Sequence, residues 1–232
     1  MSGEEITIST PDGDFMGYLS KPASGSGPGI VVIQEIFGVN QVMRDITDDF
    51  AAKGFVALCP DLFWRIEPGV NITDQSKAEW DKAFSLFGQF DRDKGAQDVA
   101  ATITTLRGIS GCTGKVGTVG FCLGGMMAYL AATRTDADAS VGYYGVNIPD
   151  LIDEAGNISN PLMLHIAGKD SFVPPEMQQA MHAGLDGNPH CTLHDYPEQD
   201  HAFARKGGEH YDAAAEALAM QRTLDFFKKN LK

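Results

Sequence analysis

Residues 116–128, Val116-Gly117-Thr118-Val119-Gly120-Phe121-Cys122-Leu123-Gly124-Gly125-Met126-Met127-Ala128, constrain this chain most: a run of strand composition passes without a linker into a continuously apolar helix. A backbone bends that sharply only where side chains are missing on both sides of the bend. Gly120 stands two residues before Cys122, and Gly124 and Gly125 close behind it. The pattern predicts a strand-helix elbow with Cys122 at its apex in a strained conformation. Its thiol is then held clear of the sheet at a helix N-terminus, where unpaired N–H groups and the helix dipole favour thiolate over a thiol of ordinary pKa (~8.5). Free cysteines more often act as small buried hydrophobes; here the strand before and the helix after supply the context an elbow requires. The same glycines lack the Gly-x-Gly opening of a dinucleotide fingerprint, and Gly114-Lys115 has no phosphate-loop spacing before it.

Around this elbow the chain alternates. Residues 5–10 and 15–19 read as strands joined by the turn Pro11-Asp12-Gly13-Asp14, an antiparallel hairpin, and residues 30–34 are apolar enough for a central parallel strand. Val39, Val42, Met43, Ile46 and Phe50 recur at helical spacing, with Gly54 placed to end that helix before a strand at 55–58. The order then repeats: strand 115–121, helix 124–133, strand 139–145, strand 161–168, helix 174–185 and strand 191–196. A last amphipathic helix carries Met220, Leu224, Phe227 and Leu231 on one stripe. This predicts an α/β protein, a mostly parallel sheet with helices on both faces and ligands beyond the carboxyl ends of the strands. Residues 65–95 break the alternation; the spacing of Trp80, Phe84, Phe87 and Phe90 fits a helix bordering a cleft and equally fits aromatics anchoring an excursion to the core.

Composition narrows the partners. A net charge of −13 with 18 scattered Lys and Arg argues against nucleic acid or an anionic membrane. Cys59, Cys112, Cys122 and Cys191 show neither Cys-x-x-Cys spacing nor a histidine pair nearby, so no metal site is expected and reduced thiols are the simplest state. The opening Met1-Ser2-Gly3-Glu4-Glu5 is acidic rather than basic then apolar, and no apolar run of membrane-spanning length follows. A single cytoplasmic domain over 1–232 is the expectation, as a monomer or small homo-oligomer.

A thiol nucleophile needs a base, and six histidines compete. His165 falls inside an apolar strand, His194 in an alternating one, and His182, His190 and His210 in helical or polar contexts without a partner signal. His201 follows a strand in the loop Pro197-Glu198-Gln199-Asp200-His201-Ala202-Phe203, at the sheet edge where such folds build sites. The base in turn needs an acid. Asp170 lies just past a predicted strand, between Cys122 and His201 in the chain. Asp200 is its rival, but adjacent residues seldom turn their side chains to face each other, and Asp195 and Glu198 read as a solvated edge.

Gly120-Phe121-Cys122-Leu123-Gly124-Gly125, Gly168-Lys169-Asp170 and His201-Ala202-Phe203-Ala204-Arg205 together resemble the dienelactone hydrolase family, a branch of the α/β-hydrolases with a cysteine nucleophile. Supporting matches are Gln34-Glu35-Ile36-Phe37-Gly38 and Cys59-Pro60-Asp61-Leu62-Phe63. The resemblance implies a cofactor-independent enzyme in which Cys122 attacks a small lactone or ester, His201 shuttles the proton and Asp170 orients His201. It also implies an oxyanion hole from the N–H groups of Leu123 and Ile36; the first follows independently, since Leu123 opens the helix. Glu35, by the same resemblance, lies beside the thiol and controls its ionisation, and Arg205 pairs with Glu35 or with an anionic substrate. Phe37, Trp80 and Phe84 join Arg205 as substrate-binding candidates.

Two positions depart from the family pattern. Trp80 stands where dienelactone-cleaving members carry a second substrate-binding arginine, and Phe84 where an aromatic hydroxyl is expected. The pocket is therefore expected to be more apolar and to lack one carboxylate anchor beside Arg205, with Arg65 a candidate to compensate. A non-catalytic binding or redox-responsive scaffold with Cys122 as sensor is the rival reading from another class. Thioester or peptide-bond hydrolysis is a third, because the same residues handle all acyl transfer.

Overall fold

The computed structural model describes residues 3–232, so Met1 and Ser2 of the acidic opening segment lie outside the described residues. Two compact units make up the chain, residues 1–118 and 119–232. The boundary falls inside one strand, β5 (Cys112–Phe121).

In the first unit, β1 (Glu4–Thr10), β2 (Gly13–Ser20), β3 (Gly27–Ile33) and β4 (Val56–Pro60) lie in the order β1-β2-β4-β3. β1 and β4 run antiparallel to β2, and β3 runs parallel to β4. The expected hairpin exists with a shifted turn. Thr10 pairs with Gly13, leaving Pro11 and Asp12 as the two-residue loop. Gly13 closes it at φ 143°, a backbone state that only glycine adopts readily, and Thr10 Oγ1 donates to its carbonyl at 2.8 Å. Helix α1 (Gln41–Ala52) starts on Asn40, whose Oδ1 accepts from Met43 N at 3.1 Å, and buries Met43, Thr47, Phe50 and Ala51. It stops at Lys53, and Gly54 follows at φ 99°.

The excursion resolves into two helices, α2 (Lys77–Gln89) and α3 (Arg92–Gly108). α2 buries Ala83 and Leu86; of the four aromatics, Phe84 is exposed and Trp80, Phe87 and Phe90 are half-buried, with Phe90 edge-on against buried Phe63 at 6.0 Å. α3 escaped the sequence reading for a physical reason. Its buried face is Gly95, Ala96, Asp98, Val99, Thr102, Ile103 and Leu106, too short and too polar to stand out as an apolar stripe. Asp98 sits there at 1% exposure because its carboxylate accepts Arg65 Nε at 3.1 Å, Arg65 Nη2 at 2.8 Å and Trp64 Nε1 at 2.9 Å.

The second unit takes the end of β5 into α4 (Leu123–Arg134), followed by β6 (Ala139–Tyr143), a 3₁₀ stretch Ile148–Asn157 that no sequence signal announced, β7 (Leu162–Ala167), α5 (Pro175–Leu185), β8 (Cys191–Tyr196) and α6 (Ala213–Asn230). β6, β7 and β8 are parallel neighbours in that order. Residues 123–133 of α4 are all buried, as a helix without a polar face requires. α6 buries Ala215, Ala219, Thr223, Leu224 and Phe227, so the core-facing stripe is set more by small residues than the expected Met220. Among the described residues, no helix is long and apolar enough to cross a membrane.

His165 is a core residue, as its apolar strand predicted. Its Nδ1 lies 2.8 Å from Tyr196 Oη and its Nε2 3.0 Å from Thr223 Oγ1, which is 2.7 Å from Tyr143 Oη. Burial, aided by the charges of His194 and Arg222, holds its pKa well below the usual histidine value. Its contribution to stability is therefore complete above about pH 6.5, the unfolded pKa. It is lost as pH falls toward the folded value, because the unfolded chain binds a proton that the fold refuses. We expect wild-type unfolding free energy to fall below pH 6.5 by up to ~1.4 kcal/mol per pH unit on this account. His165→Gln should flatten that slope in urea titrations at pH 5 and 7.5; equal slopes would contradict the assignment.

Candidate active site

β5 ends in the buried run 116–121 and α4 begins at Leu123, so Cys122 alone makes the turn. It does so at φ 57°, ψ −114°, a conformation costing a non-glycine residue about 1–3 kcal/mol. Backbone bonds hold the strain in place: Cys122 N donates to Tyr143 O at 3.1 Å, and its carbonyl accepts from Gly125 N at 2.9 Å and Met126 N at 3.3 Å. The glycines are steric necessities. A Cβ on Gly120 would lie 1.8 Å from Gly124 O, and one on Gly125 would lie 2.6 Å from Gly145 Cα. Cys122 is 8% exposed at the N-terminus of α4, whose first N–H groups have no partner within the helix.

Two further loops converge by backbone pairing. Gly168 N donates to Tyr196 O at 2.9 Å and Lys169 N to Gln199 O at 2.8 Å, which draws the loop after β7 against the loop after β8. Asp170 and His201 meet there, both buried, with His201 Nδ1 2.7 Å from Asp170 Oδ2. The other carboxylate oxygen accepts Phe172 N at 2.8 Å, so Asp170 is fixed at both ends. The His201 ring is also hydrogen-bonded to the Cys122 side chain. Burial alone would lower the pKa of His201. The charge of Cys122 and hydrogen bonds to Asp170 and Cys122 outweigh it and raise the value to about 10. Asp200, the other candidate acid, accepts from the backbone N of His201 at 2.6 Å.

The remaining histidines fall elsewhere. His182 has partners that the sequence did not signal: Nδ1 lies 3.0 Å from Asp186 and Nε2 3.1 Å from Asp195, on the surface. The first unit carries the other predicted residues. Glu35, Ile36 and Phe37 are buried just after β3. Phe37 meets Trp80 edge-on at 5.0 Å, and Trp80 stacks on Phe84 at 5.4 Å, so the three aromatics are brought together. Trp80 Nε1 donates to Asp74 O at 2.9 Å. Arg65 is engaged within the first unit. It lies on the Trp64 ring, and Asp98 and Asp12 hold its guanidinium, the latter at 2.9 Å. Arg205, in the second unit, is buried, and its N donates to Ala202 O at 2.9 Å.

Sequence reasoning missed two residues around His201. Tyr144 packs edge-on against the imidazole at 5.1 Å and Phe172 at 4.9 Å. Tyr144 has φ 38° without being glycine, and nothing in its sequence context reveals that. Phe172, two residues past Asp170, carried a signal only once Asp170 was placed.

Strands feeding helices, with Cys122, Asp170 and His201 all in loops at carboxyl ends of strands, define the α/β-hydrolase class. The crystal structure titled "Putative Dienelactone Hydrolase" from Klebsiella pneumoniae shares this fold at TM-score 0.87 over 98% of both chains, at 24% identity. The dienelactone hydrolase family model matches residues 15–231, and the chain belongs to that family. It is 49% identical over 228 residues to the "Putative carboxymethylenebutenolidase" of Azospirillum brasilense, covering 95% of each chain. It is 39% identical over 227 residues to the carboxymethylenebutenolidase of Pseudomonas putida, covering 97% of this chain and 96% of that one.

A raised His201 pKa carries a spectroscopic consequence. At pH 8 the ring should be protonated on both nitrogens in ¹⁵N NMR, and Cys122→Ser should return its titration toward the ordinary ~6.5. A neutral ring at pH 8 in the wild type would contradict the charge pairing.

Proposed function

We propose that this chain hydrolyses a small lactone or carboxylic ester through Cys122, His201 and Asp170 by way of a thioester. The observation that carries the reading is His201, bonded at Nδ1 to a buried Asp170 and on the same ring to the apex thiol. Membership of the family and relatives named as carboxymethylenebutenolidases support it.

The chemistry follows from those contacts. The Cys122 sulfur, as thiolate, attacks the carbonyl carbon; a C–S bond forms and the carbonyl π electrons move to oxygen. Stabilisation of that oxygen is assigned to the N–H of Leu123, which opens α4, and, on the family resemblance alone, to that of Ile36; one such donor is typically worth ~3–4 kcal/mol. As the tetrahedral centre collapses, the C–O bond breaks and His201 Nε2 gives its proton to the departing oxygen. Water then attacks the thioester while His201 takes its proton, the C–S bond breaks, and acid and thiolate are released. Asp170 keeps Nδ1 protonated throughout, so that Nε2 is the working nitrogen.

Glu35 is assigned control of thiol ionisation. Arg205 is assigned the substrate carboxylate, since its planar fork pairs two oxygens at once. Phe37, Trp80 and Phe84 are assigned the apolar part of the substrate.

Purified Cys122→Ala should lose turnover of 4-nitrophenyl acetate by at least ~10³-fold while unfolding like the wild type. Asp170→Asn should lose ~10²–10⁴-fold by freeing the imidazole tautomer. Undiminished activity in Cys122→Ala would overturn the reading, and with it the choice of acyl transfer over a sensor thiol.

A further inference from the structure

The mechanism leaves one ring at the site unused. Of the two aromatics on His201, Tyr144 is 2% exposed and has no surface to offer a ligand. Phe172 is 44% exposed, one of three large apolar side chains so placed among the described residues, with Phe84 and Leu218. A phenyl ring kept half in water forgoes much of the gain from burial. This one is not loosely attached: its N–H is bonded to Asp170 Oδ1 at 2.8 Å, and its ring centroid stands 4.9 Å from that of His201. The carboxylate that orients the base therefore also fixes Phe172 beside it.

We infer that Phe172 contacts the alcohol portion of the substrate and sets a preference for apolar leaving groups. This rests on the acyl-transfer reading above. In that reaction the C–O bond breaks as the proton on His201 Nε2 passes to the departing oxygen, which must then lie within hydrogen-bond reach of the ring. Nδ1 is occupied by Asp170, and Tyr144 is closed off. The carbon chain on the departing oxygen is thus delivered to the neighbourhood of Phe172, whose exposed surface it can cover. The acyl carbon, by contrast, becomes bonded to Cys122. Phe172 accordingly discriminates among alcohols and not among acids, and Asp170 links the placing of the proton shuttle to the placing of the leaving group.

The test compares kcat/KM for ethyl acetate, 2-phenylethyl acetate and ethyl butyrate in wild type, Phe172→Ala and Phe172→Leu. The two alcohols have similar acidity, so their ratio reads contact rather than leaving-group chemistry. Phe172→Ala should lower the phenylethyl-to-ethyl ratio at least about fivefold, and Phe172→Leu should restore most of it. The butyrate-to-acetate ratio should stay within about twofold in both variants. An unchanged alcohol ratio in Phe172→Ala with wild-type melting behaviour would overturn the proposal, as would an equal shift in acyl preference. Turnover that survives Cys122→Ala would instead overturn the acyl-transfer reading on which it rests, so the two failures are separable.

Discussion

Backbone crowding at the elbow governs the chemistry of the second unit. Gly120 meets Gly124 and Gly125 meets Gly145 at distances that admit no Cβ, and this closeness lets a helix begin one residue after a strand ends. Cys122 inherits from that geometry a left-handed φ and a place at the start of α4. Neither is a property of cysteine itself. A serine or alanine in the same turn would be held the same way, so the elbow fixes where a reacting group stands and the side chain fixes what it does. The strain is held by backbone bonds to Tyr143, Gly125 and Met126.

The second constraint is electrostatic. A buried imidazolium is unstable unless charge and hydrogen bonds compensate its desolvation, and His201 has both, from Cys122 on one side and Asp170 on the other. Asp170 is in turn satisfied by Phe172 N, which leaves the acid little freedom to rotate away. Backbone cross-links between the loops after β7 and β8, Gly168 to Tyr196 and Lys169 to Gln199, keep acid and base in register, and Lys169 Nζ adds an ion pair to Glu198 at 2.7 Å. Tyr144 and Phe172 complete the enclosure by packing against the ring.

Much of this was legible from the residues, for specific reasons. The elbow was readable because its glycines, its apolar strand and its apolar helix are contiguous. Asp170 and His201 were readable because each follows a strand and chain order limits the alternatives. What failed to show was anything whose signal is spread over distant residues or lies in backbone angles. α3 hid because its buried face carries Asp98 and Thr102, and Asp98 is tolerable there only through Arg65 and Trp64, some thirty residues earlier. The hairpin turn moved by one residue because Gly13 was read as a turn centre when it closes the ladder opposite Thr10. Tyr144 and Phe172 gained meaning only once three loops were seen together.

The central claim is that Cys122 carries the acyl group. The most direct measurement is to quench the enzyme during turnover of 4-nitrophenyl acetate, digest it under acid, and locate the added acetyl group by mass spectrometry. The account predicts acetylation on the peptide containing Cys122, as a hydroxylamine-labile thioester that is absent from Cys122→Ala. Acetyl groups found only on other residues, with turnover continuing, would contradict it.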